Sequence, residues 1–147
     1  MPLAPKKTAQ TILDSGNDYL GALKGNQPGL LAAVETHFQP QHSAQQINKG
    51  HGRIEKRTVS MTHCWDGIPD FPGLQTLIRV ESERQVQRAN IIELSTETRY
   101  YVASFSETVQ AFANRAIAVP VRNFKLLSHH FVAVNKMVGE QSLLIKK

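Results

Sequence analysis

The chain has 147 residues, 41% of them hydrophobic and 20% charged, with a single Cys and a net charge of +5. That length and composition fit one globular domain with a core of its own, and exclude collagen-like, mucin-like and coiled-coil chains. No apolar run reaches the roughly 18 residues of a membrane span, the polar Thr8 to Gln10 stands where a signal peptide needs its apolar stretch, and Cys64 alone can form no internal disulfide, so a soluble, cytoplasmic protein without membrane contact is expected.

Lys7 to Ser15 places Ala9, Ile12 and Leu13 at helical spacing with Gly16 as the stop, which predicts a short helix. Asp18 to Lys24 is short and apolar with an aromatic near its start, which suits a buried strand. After the Gly25-Asn26 break, Asn26 can cap a helix in which Gln27 and Pro28 occupy the first turn. Leu30, Leu31, Val34 and Phe38 form its apolar stripe, ending before Pro40. Residues 39–52, rich in Gln, His, Ser and Asn, read as a polar loop. From Arg53 to Thr62 the alternation is that of a strand with a charged first half. The Pro- and Gly-interrupted stretch from Trp65 to Gly73 separates it from a second strand over Leu74 to Glu83, and a third runs from Thr98 to Ser104. A helix capped by Ser106 is expected through Ala116, with another over Phe124 to Val138.

The positive charge sits at the end of the chain. Residues 1–107 hold eleven Lys+Arg and eleven Asp+Glu, whereas Arg115, Arg122, Lys125, Lys136, Lys146 and Lys147 oppose only Glu140. A bias of that kind marks a solvated tail or a contact for phosphate.

Metal binding and nucleophilic catalysis find little support. His63 and Cys64, like His129 and His130, are strand neighbours that point to opposite faces, and no Cys-x2-Cys, His-x3-His or Gly-x-Ser-x-Gly spacing occurs. Asp66 and Asp70 lie in a Pro/Gly-rich loop without an identifiable partner acid. Lys24 beside the helix start at Gly25-Asn26-Gln27 could hold a phosphate on free N–H groups, or the segment is a plain turn and cap. Arg53, Glu55 and Arg57 fall on one strand face, either as a surface ion-pair ladder or as two arginines for a nucleic-acid backbone, oriented by the glutamate.

Five segments in order carry a resemblance. They are Lys6-Lys7-Thr8-Ala9-Gln10, Asp18 through Gln27, His51-Gly52-Arg53-Ile54-Glu55-Lys56-Arg57, Val80-Glu81-Ser82-Glu83-Arg84, and Glu97-Thr98-Arg99-Tyr100-Tyr101. Together, over roughly residues 6–117, they resemble consecutive motifs of bacterial insertion-sequence transposases, in the branch that includes the H-repeat-associated proteins. The family-motif positions are Asn26, Gln27, His51, Gly52, Glu55, Glu81, Arg84, Arg99 and Tyr100.

The resemblance implies an α/β fold, a fragment of an RNase H-like DDE transposase domain. Its parallel-containing sheet would be flanked by helices and carry a β-rich insertion before the last catalytic helix. In that family three acidic residues hold two Mg²⁺ ions that activate water and then a DNA 3′-hydroxyl. The family's first two catalytic aspartates lie upstream of the Lys-Lys-Thr motif, whereas this sequence reads Met1-Pro2-Leu3-Ala4-Pro5 there. The stretch from Val119 to His130, where a His-Trp-x-Ile-Glu-Asn helix is expected, has no acid. No catalytic or metal residue is therefore carried over, and no cofactor is expected for this fragment. The expectation is a truncated, inactive and weakly stable transposase piece over residues 1–117, followed by a divergent basic tail over 118–147. The alternative is a fragment that binds insertion-sequence DNA or the full-length transposase and interferes with transposition. Its DNA-contact candidates are Lys24, Arg53, Lys56 and Arg57. An unrelated small α/β protein is a third reading.

Overall fold

Helix α1 (Pro5–Asp14) buries Thr8, Ala9 and Ile12 and ends where Gly16, at φ 87°, turns the chain left-handed. Gly16 N–H donates to the Leu13 carbonyl at 2.9 Å and Asn17 N–H to that of Ile12 at 3.2 Å, the paired bonds of a Schellman cap. Strand β1 (Asp18–Leu23) follows at once, buried along nearly its whole length, and α2 (Pro28–His37) packs Leu30 and Val34 inward. The computed structural model describes residues 5–23, 28–118, 131–134 and 144–145.

Residues 42–50 are not a loop. They form strand β2 (His42–Gly50), paired antiparallel along its length with β3 (Arg53–Thr62). Its Ser, Gln and Asn side chains leave no apolar face to betray a strand. The pairing is reinforced by polar cross-strand contacts, Ser43 Oγ to Ser60 Oγ at 2.9 Å and Gln45 Nε2 to Thr58 Oγ1 at 3.2 Å. His51 and Gly52, both at positive φ (49° and 74°), make the two-residue turn, a backbone hand that matches strand twist.

Strands β4 (Thr76–Arg88) and β5 (Ile91–Ala103) run well beyond the expected segments and meet at a second tight turn over Ala89 and Asn90. Helix α3 (Val109–Ala118) starts later than expected. Its cap is Thr108, whose Oγ1 accepts the Ala111 N–H at 3.1 Å, rather than Ser106, whose Oγ lies 3.4 Å from His63 Nε2. Within the span expected to be a further helix, Phe131–Val134 is strand β6, as its β-branched residues favour; the remainder of that span lies outside the described residues. β7 (Leu144–Ile145) pairs with β6.

The seven strands lie in the order β2-β3-β4-β5-β1-β6-β7. Every described pair is antiparallel, in place of the parallel-containing sheet that the resemblance implies. Side chains alternate between two cores. Tyr19, Leu77, Tyr100 and Val102 face α1 and α2, with Phe38 and Phe71 closing that side. Leu20, Val59, Ile78 and Tyr101 face Phe112 and Ala113 of α3. Both cores sit at the β1 end of the long strands. The far halves of β2–β5 project past the helices as an arm with solvent on both sides, which accounts for the exposure of β5 from Ile91 to Thr98.

Candidate nucleic-acid interface

The register of the arm decides which charged residues meet. The two-residue turn sets Gly50 opposite Arg53, and β3–β4 pairing sets Glu55 opposite Arg84 and Arg57 opposite Ser82. Glu97 lies opposite Ser82 on β5, and Arg99 opposite Val80. Arg53, Glu55, Arg57, Ser82, Arg84, Glu97 and Arg99 thus share the face that α3 covers nearer the base. Glu55, Arg57, Ser82, Arg84, Ser95 and Glu97 line a shallow groove of about 430 Å³ there.

Most of the charge in this groove is compensated. Glu55 Oε2 lies 3.7 Å from Arg53 Nε and 3.6 Å from Arg84 Nε, and Glu97 Oε2 accepts Arg99 Nε–H at 2.9 Å. Exposed pairs of this kind contribute about 0–1 kcal/mol each, so they order the side chains more than they stabilise the fold. The arginine Arg99 titrates above its ordinary value, because the hydrogen bond and charge of Glu97 outweigh the desolvation that acts against its charge. Beneath it, burial raises the pKa of the Tyr101 phenol, opposed by the Arg99 and Arg57 charges. Arg57 differs from its neighbours: among the described residues no carboxylate lies within 4.0 Å of its guanidinium.

Other sequence candidates fall elsewhere. Lys56 is on the opposite face from Arg53 and Arg57 and lies 3.8 Å from Glu83, so the three cannot form one basic patch. Glu81 is also on that far face, 3.4 Å from Arg79, whose guanidinium sits 4.8 Å above the Phe38 ring. Tyr100 is a core residue, edge-on to Phe38 at 5.9 Å. His51 and Gly52 are turn residues, and Gly52 O accepts Gln87 N–H at 2.8 Å, tying the turn to β4. Lys24, Asn26 and Gln27 lie outside the described residues, as does most of the basic tail. Sequence reasoning missed Ser95 as a groove residue; strand alternation would have placed it on the Arg99 face once β5 was extended back to Ile91.

The carboxylates at hand do not fit a two-Mg²⁺ site. Glu55, Glu81, Glu83, Glu93 and Glu97 each stand beside an arginine or lysine, and Asp18 Oδ1 accepts a hydrogen bond from Ser104 Oγ at 2.9 Å. Among the described residues no three of His, Cys, Asp or Glu gather as metal ligands. Asp18 instead fastens β1 to β5, since Ser104 Oγ also accepts Tyr19 N–H at 2.8 Å.

Comparison with known proteins bears on this arrangement. Over 119 residues the chain is 34% identical to YhhI of Escherichia coli, and over 73 residues 38% identical to YbfD of the same organism, covering 74% and 45% of this chain. Both relatives are named as H repeat-associated and carry the word transposase in their names. These relatives support a transposase family. An uncharacterised protein in the dhlA 3′ region of Xanthobacter autotrophicus is 37% identical over 108 residues, 67% of this chain. The chain spans about a third of the length of the curated relatives it matches, 35% for the Xanthobacter protein, 32% for YhhI and 29% for YbfD. No family model matches the chain, and no solved structure does. No described helix is long and apolar enough to cross a membrane.

Proposed function

We propose that this chain supplies the middle of a DDE transposase catalytic domain of RNase H-like fold, with the β2–β5 arm as its β-rich insertion. By itself the chain neither cuts nor joins DNA. The observation that carries this reading is the 34–38% identity to transposase-named relatives. The pairing of the arm's glutamates with arginines and a lysine, and the hydrogen bond that Asp18 of β1 accepts from Ser104, support the inactivity, because a metal-assisted phosphoryl transfer needs carboxylates free to converge on the ions. The purified chain, incubated with Mg²⁺ and end-labelled insertion-sequence DNA, is expected to leave the strands intact. Mg²⁺-dependent nicking or strand joining that co-purifies with the chain would refute the inactivity.

A second reading, that the chain binds DNA and interferes with transposition, is favoured by one observation, the uncompensated Arg57 in a groove of otherwise paired arginines. A cation already offset by a glutamate gains little from a phosphate, whereas a free one gains a charge-assisted contact and releases a counterion. In gel-shift titrations Arg57→Ala is expected to weaken DNA binding several-fold and to lower the salt slope by about one. Equal affinity and slope for the two proteins would remove Arg57 from the interface.

A further inference from the structure

The arm has two edges, and they differ. Strand β2 forms one of them, and apart from Ala44 and Ile47 its side chains are polar, with Lys49 near the tip, which discourages the addition of a strand. On the other side β1 pairs with β5 only from Tyr100 to Ala103, so among the described residues β5 from Ile91 to Arg99 has no strand beside it. Ile91, Ile92 and Leu94 stand there at 64%, 60% and 67% exposure. Backbone alternation shows which groups this edge offers. Ser104 N–H donates to Tyr19 O of β1 at 3.2 Å, whereas Ala103 O turns the other way and accepts Gln75 N–H at 2.9 Å. The β4–β5 register runs without a bulge from Ala103 to Ile91, so the alternation carries along the strand. Ile92, Leu94, Thr96 and Thr98 therefore point their N–H and C=O groups outward, ready for another strand.

The notch between the arm and β1 fits a second β5 in one register. A parallel β5 is excluded, because β1 of one copy would run into β1 of the other. In an antiparallel joint, about a two-fold axis normal to the sheet, one residue sits opposite itself. Were that residue Ser95, Asn90 would land level with Tyr100, where Leu23 is already paired. Were it Glu93, two carboxylates would face each other. Centres nearer the tip pair fewer residues. With Leu94 at the centre, Leu94 meets Leu94 and Ile92 meets Thr96, and each of these pairs exchanges both N–H···O bonds. On the arginine face Glu93 meets Ser95 and Ile91 meets Glu97. The glutamates then approach only diagonally across the joint, and each keeps an arginine of its own copy, Arg88 at 3.9 Å from Glu93 and Arg99 at 2.9 Å from Glu97.

We propose that two copies of the chain join edge to edge through β5, antiparallel and centred on Leu94, into one continuous sheet. Because the axis is normal to the sheet, both arginine grooves open on the same side, and the joint is independent of what they bind. An edge joint buries less than about 1,200 Å², the size of weak contacts, so a Kd on the order of 100 µM is expected. Sedimentation equilibrium of the full chain from about 10 µM to about 1 mM should show monomer and dimer in exchange. Leu94→Lys and Leu94→Glu each set like charges opposite one another across the axis, and each should weaken the dimer at least tenfold with an unchanged far-UV spectrum. Their equimolar mixture should dimerise at least as tightly as the parent. Over the same concentration range amide exchange at Ile92, Leu94 and Thr96 should slow several-fold, while Ile91, Glu93 and Ser95, whose amides face β4, change little. A parent chain monomeric up to about 1 mM overturns the proposal. So does a mixture of the two variants that stays monomeric, or growth beyond the dimer, which pairing of β5 with the β2 edge of the next copy would give.

Discussion

At the scale of single residues, two side chains carry consequences out of proportion to their size. Tyr19 is fully buried, stacks edge-on against Phe71 at 5.8 Å and donates its hydroxyl hydrogen to Pro72 O at 2.6 Å. Tyr19→Phe removes that bond and orphans the carbonyl, and is expected to cost about 1–2 kcal/mol in denaturant titration at neutral pH. Burial, with a smaller push from Asp18, raises the Tyr19 phenol pKa above 10.0, and burial raises that of Tyr101 as well. A proton held more tightly in the folded state means the linked stability is complete below the unfolded value near 10.0. It is lost as pH rises through the folded one. Stability should therefore fall above about pH 10, and the fall should be shallower in Tyr19→Phe. Ala89, the first residue of the β4–β5 turn, is held at φ 52°, where a Cβ crowds the following carbonyl. Ala89→Gly relieves this and, after the added chain entropy of glycine, is expected to gain about 0.5–1 kcal/mol, read as a higher Tm.

At the scale of elements, the cap of α3 offers a clean test. Thr108→Ala should cost about 1 kcal/mol, while Ser106→Ala, which loses only a 3.4 Å contact to His63, should lie within about 0.5 kcal/mol of the parent. The helices and the inner halves of the strands were legible in the sequence because burial imposes period: Ala9 and Ile12, Leu30 and Val34, and Tyr101 against Val102 each betray the face they bury. The outer halves were not legible, because an arm wet on both sides needs no apolar alternation, and Gln, Asn and Thr there read as loop. The His51-Gly52 turn was absorbed into the expected loop over 39–52, and the second turn was hidden because alanine is no turn signal. The same limit applies to the groove. That Arg53, Glu55 and Arg57 share a face follows from alternation alone. The meeting of Glu55 with Arg84 depends on a register set after the long connection through Trp65 and Gly73, which no local rule encodes.

At the scale of the whole molecule, stability should be graded along the long strands. The helix-covered ends bury Val59, Leu77, Ile78 and Val102 almost completely, whereas the arm rests on ladder hydrogen bonds and surface ion pairs. Native-state hydrogen exchange should show the amides of 19–22 and 100–103 protected most strongly, and those of 46–55 and 84–95 opening at a lower free energy. Equal protection along β4 and β5 would contradict that gradient. The place of β1 in the sheet has a further consequence, for synthesis. Leu20 finds its partner in Ala103, 83 positions later in the chain. At about 5–20 residues per second a ribosome needs roughly 4–17 s to deliver that partner. Through that interval one of the most apolar strands of the protein leaves the exit tunnel with both of its edges open. A nascent chain of this design is therefore a client for whatever chaperones shield strands during translation, and the β2–β5 meander, whose contacts are local, can fold before β1 is captured.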